Sequence, residues 1–137
     1  MSIQSVIDSS VAYKWHYRND EPGVDIADAL LADHVEGNVV LAAPTTLTVE
    51  IANALRYSGL SPERVSEIID LIGAAQIHLF HPSTETLRRA ADLAFQHGMS
   101  VYDALFLELA ERLGCPLYTS DRKTFARIDT PVEIRLV

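Results

Sequence analysis

The feature that most constrains the fold is a short stretch with no polar residue in it. Val39-Val40-Leu41-Ala42 is continuously apolar, with Gly37-Asn38 before it and Pro44 just after. A strand with one face in water alternates polar and apolar side chains. A run like this one suits a strand buried on both faces, as in a parallel sheet covered by helices. The rest of the chain agrees. Ser5-Val6-Ile7 reads as the end of a first strand, Ile77–Phe80 and Leu117-Tyr118-Thr119 as two more, and Val132–Val137 as the last. Helical patterns lie between them, over Ser10–Tyr17, Val24–Val35, Pro44–Ser58, a segment opening at Ser61-Pro62, Ser83–His97 and Ser100–Leu113, with a short helix or turn over Asp121–Arg127. In the second of these, Ile26, Ala27, Leu30, Leu31 and His34 share one side. Ser61 with Pro62 is a helix start, Pro44 is read as another, and Gly59, Gly98 and Gly114 are helix stops. Strands alternating with helices demand right-handed crossovers and a parallel sheet. The expected fold is α/β, a three-layer α/β/α sandwich with a mainly parallel central sheet, formed by one domain over residues 1–137.

The formal net charge of −8 argues against generic nucleic-acid binding, which relies on Lys and Arg neutralising phosphates. Two things answer that objection: bound cations, or a carboxylate cluster that concentrates part of the charge in one place. No stretch approaches the roughly 20 apolar residues of a membrane span. Met1 to Asp8 has neither the basic nor the apolar part of a secretory signal. The single Cys115 allows no internal disulfide, and its expected role is that of a small buried hydrophobe in a reducing, cytoplasmic setting.

Four carboxylates then stand out. Asp8 follows Val6-Ile7 and Asp121 follows Leu117-Tyr118-Thr119-Ser120, each at the carboxyl end of a strand, where open parallel sheets bind ligands. Each also has the plain explanation of a helix N-cap. Asp103 shares a helix side with Phe106, Leu107 and Ala110, on a segment so apolar that it should be buried, with Glu108 and Arg112 on the opposite side. Its plain explanation is an acid favoured by the helix dipole. Glu50 lies beside the stripe Leu47–Ile51–Ala54–Ser58, as an inward acid or an exposed one at the stripe's edge. If all four meet in one crevice, their mutual repulsion requires a cation. An all-carboxylate set selects Mg²⁺ or Mn²⁺ over Zn²⁺. The five histidines, His16, His34, His78, His81 and His97, are scattered without zinc spacing. An acidic cluster holding Mg²⁺ is equipment for phosphoryl chemistry. A P-loop enzyme is excluded by the missing glycine-rich pattern. A haloacid-dehalogenase phosphatase is disfavoured because Ser9 and Ser10, not a second acid, follow Asp8.

These segments resemble the motifs of PIN-domain ribonucleases. Val6-Ile7-Asp8-Ser9-Ser10 is similar to the first, Val49-Glu50-Ile51-Ala52-Asn53 to the second, Ser100-Val101-Tyr102-Asp103-Ala104-Leu105 to the third, and Thr119-Ser120-Asp121 to the fourth, in order along nearly the whole chain. The size resembles the stand-alone VapC toxins of toxin–antitoxin pairs. The resemblance implies an Mg²⁺- or Mn²⁺-dependent endoribonuclease that cleaves RNA by metal-activated water. Asp8, Asp103 and Asp121 would be metal ligands, and Glu50 a ligand or water-orienting acid. Ser9, Asn53 and Thr119 would orient carboxylates. It also implies a homodimer, a VapB-like antitoxin lying across the site, and no membrane association. Lys14 and Arg18 after Asp8, and Arg122, Lys123 and Arg127 after Asp121, are candidates to hold RNA phosphates. Tyr13, Trp15 and Tyr17 belong to base stacking or, more simply, to packing. The competing reading is a catalytically silent PIN fold that only binds.

Overall fold

The computed structural model describes residues 3–17 and 21–137. Five strands form one sheet: β1 (Ile3–Ile7), β2 (Val39–Pro44), β3 (His78–Phe80), β4 (Leu117–Thr119) and β5 (Ile134–Leu136). Their order is β3-β2-β1-β4-β5 and every pairing is parallel. The helices are α1 (Ser9–Tyr13), α2 (Val24–Glu36), α3 (Thr46–Arg56), α4 (Pro62–Ala74), α5 (Thr84–His97), α6 (Val101–Leu113) and α7 (Arg122–Phe125). The chain winds from β1 outward through β2 to β3, then returns across the sheet to β4 and β5. With right-handed crossovers that reversal puts the helices after β3 on the face opposite those before it. The expected three-layer α/β arrangement is therefore what the chain adopts. Ser5, Val6 and Ile7 are all buried, as a central strand covered on both faces requires.

The reversal matters for function. β1 and β4 are neighbours whose connections leave in opposite directions, which opens a crevice beyond their carboxyl ends. The residues that follow these two strands are Asp8 and Ser120-Asp121.

Local details depart from the sequence reading in instructive ways. Pro44 does not open a helix but ends β2, paired with Phe80. The hydrogen bond to Phe80 O comes from Thr45 N at 3.0 Å, so the missing proline N–H is never needed. Helix α1 stops at Tyr13 rather than Tyr17, and α3 stops at Arg56. On α2 the buried residues are Ala27 and Leu30, whereas Ile26 is exposed; it lies one residue off the true i, i+3, i+4 stripe. Trp15 is core, its indole N–H donating to Ala27 O at 2.8 Å. His34 is a structural bridge: its Nδ1 accepts from Leu41 N at 3.1 Å and its Nε2 lies 2.9 Å from Ala75 O, joining α2, β2 and the end of α4. Cys115 is only partly buried.

Candidate active site

Asp8 sits where β1 ends and α1 begins, 6% exposed. Its Oδ1 accepts from Ser10 N (3.1 Å), Val11 N (3.3 Å) and the Ser10 hydroxyl (2.5 Å). Its Oδ2 accepts from the Thr119 hydroxyl at 2.5 Å. The cap explanation is thus correct, and it does not compete with the site explanation. Oδ1 fixes the first turn of α1, while Oδ2 faces β4 with acceptor capacity to spare. Burial pushes the Asp8 carboxyl up from its ordinary value, against the pull of these four donors.

Thr119 is fully buried at the end of β4 and serves both neighbouring motifs. Its hydroxyl donates to Asp8 and accepts from Asp121 N at 3.0 Å. Asp121 in turn caps α7, accepting from Thr124 N at 3.1 Å. Ser10, which the sequence reading did not single out, completes the junction: its hydroxyl donates to Asp8 and accepts from Ser120 N at 2.8 Å. Ser9, the neighbouring serine, lies on the Glu50 side of the crevice and pulls that carboxyl down.

Glu50 reaches the crevice from α3, whose buried stripe is Leu47, Ile51 and Leu55 rather than one running through Ala54, which is exposed. Its carboxyl is pushed up to about 7. Burial is the main cause, the Ser9 hydrogen bond opposes it, and the charges of Asp103 and Asp8 add to it. Asp103 lies in the first turn of α6, where Ser100 caps its backbone N–H at 3.1 Å. Burial raises its carboxyl, the Ser100 hydrogen bond lowers it, and the charge of Asp121 raises it again. Glu50 thus senses Asp103 and Asp8, and Asp103 senses Asp121. The four acids, from four separate segments, share one electrostatic neighbourhood.

That neighbourhood fits a divalent cation by its chemistry more than by a finished cage. Glu50 Oε2 is buried without a hydrogen-bond partner among the described residues, which is costly for a carboxylate oxygen in a low-dielectric site. A hard cation would satisfy it and relieve the repulsion. Among the described residues, however, no three acidic, histidine or cysteine side chains are already grouped closely enough to hold an ion. A cation would be held there only after side-chain rotation brought the carboxylates together.

The remaining candidates divide. Asn53 is exposed and holds none of the acids. Lys14 is 5% exposed and ion-paired to Glu21 at 2.8 Å, so a phosphate would have to displace that partner. Arg122 and Lys123 are exposed on α7, next to Asp121. Arg18 lies outside the described residues. Glu108, expected on an outward polar face, is buried and paired with Arg112, because α5 covers the side of α6 that faces away from the sheet.

The PIN-domain family model matches residues 5–131, which includes all four acids and the strands that carry them. The chain belongs to the PIN-domain family. Over 97 residues it is 34% identical to Ribonuclease VapC1 of Mycobacterium tuberculosis, covering 69% of this chain and 73% of that protein. It is 37% identical over 59 residues to Ribonuclease VapC3 of Pyrobaculum aerophilum, a match that spans 43% of each chain. In three dimensions it is similar to the solved toxin–antitoxin complex from Klebsiella pneumoniae, with a TM-score of 0.66 at 19% identity, covering 95% of this PIN chain and 99% of that one. This last likeness is one of fold.

Proposed function

We propose that this PIN domain is a divalent-metal-dependent endoribonuclease, the toxin of a toxin–antitoxin pair. The observation that carries the reading is the acidic crevice at the β1/β4 reversal. Among the described residues, Glu50 feels the charges of Asp103 and Asp8, and Asp103 that of Asp121, and Glu50 Oε2 has no hydrogen-bond partner. Asp8 Oδ2, Asp103 and Asp121 would hold Mg²⁺ or Mn²⁺, with Glu50 as a further ligand or as the acid that orients the attacking water. When bound, such an ion lowers the pKa of water and stabilises charge on the attacking and leaving oxygens of a phosphodiester.

The chain's own residues supply the rest. Thr119 and Ser10 lock the Asp8 carboxylate in one orientation, and Thr119 ties Asp121 to the same point through its backbone N–H. That fixed placement is what a metal site draws from its supporting hydrogen bonds. Glu50, with its carboxyl pushed up to about 7, is suited to accept a proton from water near neutral pH. Arg122 and Lys123 stand at the rim to attract the RNA backbone towards a surface that is otherwise acidic.

The relatives' names support the ribonuclease activity, and the Klebsiella complex supports an antitoxin partner. The net charge of −8 suits an antitoxin with a basic segment. Homodimerisation and a cytoplasmic location belong to the same proposal; among the described residues no helix is long and apolar enough to cross a membrane. The direct test is cleavage of a defined structured RNA by the purified chain with Mg²⁺, with Mn²⁺ and with EDTA. Cleavage that requires either ion is the expected result. Cleavage indifferent to EDTA would overturn the metal mechanism.

A further inference from the structure

Beside the acids lies a second feature that the cleavage chemistry does not use. An open hollow of about 280 Å³ is lined by Ser9, Ser10 and Ser120 together with Tyr13, Lys14, Glu21 and Ala54. Ser10 is the residue that holds Asp8, so whatever fills the hollow lies directly against the cleavage site. Its size is just below the roughly 300–1,000 Å³ that holds a drug-sized ligand, which suits one ring system.

The hollow's chemistry is unusual for a surface of this charge. Lys14 is 5% exposed, and its ammonium is 2.8 Å from Glu21 Oε2. Only the lysine is buried; Glu21 is partly exposed, and an ion pair with one partner in solvent adds little stability, so stability does not account for it. Because the pair is neutral overall, it suits a ligand that is itself uncharged at that point, with both donors and acceptors, and Glu21 would repel a phosphate. Among the described residues the Glu21 carboxylate accepts from Lys14 alone, which uses one of its lone pairs. Burial, then Tyr17 and Glu21, raise the Tyr13 hydroxyl, which places Glu21 beside the Tyr13 ring end. Ser120 Oγ is buried and has no hydrogen-bond partner among the described residues.

Resting on the ribonuclease reading, we propose that this hollow is a guanine subsite, which sets the nucleotide next to the cut. Guanine's pairing edge presents two donors, N1–H and the N2 amino group, beside one acceptor, O6. Glu21 accepts from both donors and Lys14 donates to O6, while Tyr13 offers its ring to the base, a mode of reading usual for unstacked RNA. The other bases fit worse. Adenine has a single donor beside an acceptor, uracil sets a second carbonyl against the carboxylate, and cytosine presents its donor and acceptors in the reverse order.

The test separates this subsite from the nuclease reading. The wild-type chain is titrated with the 5′-monophosphates of guanosine, inosine, adenosine, cytidine and uridine, which share one phosphate and differ only in the base, with binding followed by NMR. Guanosine monophosphate is expected to bind roughly tenfold or more tightly than the last three, and inosine monophosphate, which lacks the N2 amino group, to lose much of that advantage. Glu21→Gln should flatten the series. If that variant fails to fold, the guanosine–inosine comparison on the wild type decides. Equal binding, or undetectable binding, of all five overturns the subsite. In parallel, the ends produced from a random RNA pool are sequenced, and guanine should be enriched at one position beside the cut. Cleavage without that enrichment overturns the subsite and leaves the nuclease standing. Selective guanosine monophosphate binding without any cleavage leaves the subsite standing and sinks the nuclease.

Discussion

Helix α6 carries two acids that the protein treats in opposite ways. Glu108 is 3% exposed and has its own counter-charge: Arg112 Nε and one terminal nitrogen reach its two oxygens at 2.9 and 3.4 Å. The same guanidinium lies 5.7 Å from the centre of the Phe80 ring, so the pair also links α6 to β3. Asp103, five residues earlier, is only partly buried, yet its nearest influential charge is another carboxylate, Asp121. A buried acid supplied with its own cation belongs to the architecture. Acids gathered without one repel each other and require a cation from outside. Burial alone does not separate the two cases, since Asp103, the acid proposed for the site, is the less buried one.

The largest expected effect breaks this contrast from both ends. Asp103→Asn should lower RNA cleavage by roughly 10³-fold or more, because the charge that holds the ion is gone. The melting temperature should not fall, since the Ser100 cap on its backbone N–H survives and a repulsion is removed. Arg112→Leu should do the reverse. It leaves Glu108 buried and unpaired, costing about 2 kcal/mol once the partial exposure of Arg112 is allowed for, with cleavage per folded molecule unchanged. Parallel melts and cleavage rates measure both. If Asp103→Asn destabilises the fold and Arg112→Leu abolishes cleavage, the assignment of roles is inverted.

Thr119→Val joins the two behaviours in one residue. Valine keeps the volume but removes the donor to Asp8 Oδ2 and the acceptor for Asp121 N–H, both buried or nearly so. Leaving those groups unpaired should cost about 1–2 kcal/mol of stability. Releasing the Asp8 carboxylate should weaken metal binding by roughly 10- to 100-fold, the usual range for a lost supporting hydrogen bond. An Mg²⁺ titration of cleavage reads this as a shift in the half-saturating concentration. A fall in stability with no such shift would make Thr119 purely structural.

Much of this was legible in the sequence because strand ends are. Asp8 and Asp121 each follow a short segment legible as a strand, Ser5-Val6-Ile7 and Leu117-Tyr118-Thr119, and the alternation of elements makes the sheet parallel, so both strands end at one edge. What was not legible depended on packing between distant segments. Two neighbouring serines follow Asp8, and nothing local says that it is Ser10 whose hydroxyl joins Asp8 to Ser120. A helical wheel put Glu108 outward, because α6 gives no sign that α5 covers it. Pro44 looked like a helix start because the same residue can end a strand when the next N–H takes over its bond. Lys14 looked like a phosphate ligand, and only the fold shows Glu21 closing over its ammonium. The four acids fall between these extremes: Asp8 and Asp121 are the caps that their positions suggest, and capping leaves Asp8 Oδ2 turned to Thr119 at the sheet edge.

The smallest expected effect isolates Glu50 and depends on the sign of its shift. Its carboxyl is raised from about 4.5 to about 7 by burial, and then by Asp103 and Asp8. Between those values the folded chain binds a proton that the unfolded chain has released, so this group's contribution is favourable at low pH and is lost as pH rises through about 7. At pH 8, without metal, the wild type bears the whole penalty. Glu50→Gln never ionises and should be the more stable protein there, by about 1 kcal/mol once solvent screening of a partly exposed group is allowed for. Near pH 4.5 and below, a neutral Glu50 and a Gln are nearly equivalent, and the difference should vanish. Mg²⁺ should reverse the order at pH 8, because an ion bound only by the folded state stabilises the wild type more than a variant with one carboxylate fewer. Thermal melts of the two proteins at pH 4 and pH 8, each with EDTA and with Mg²⁺, give the four differences. A Glu50→Gln effect that is the same at both pH values would mean that Glu50 is already ionised and paired in the folded chain, and the crivice would then hold its charges without needing a cation.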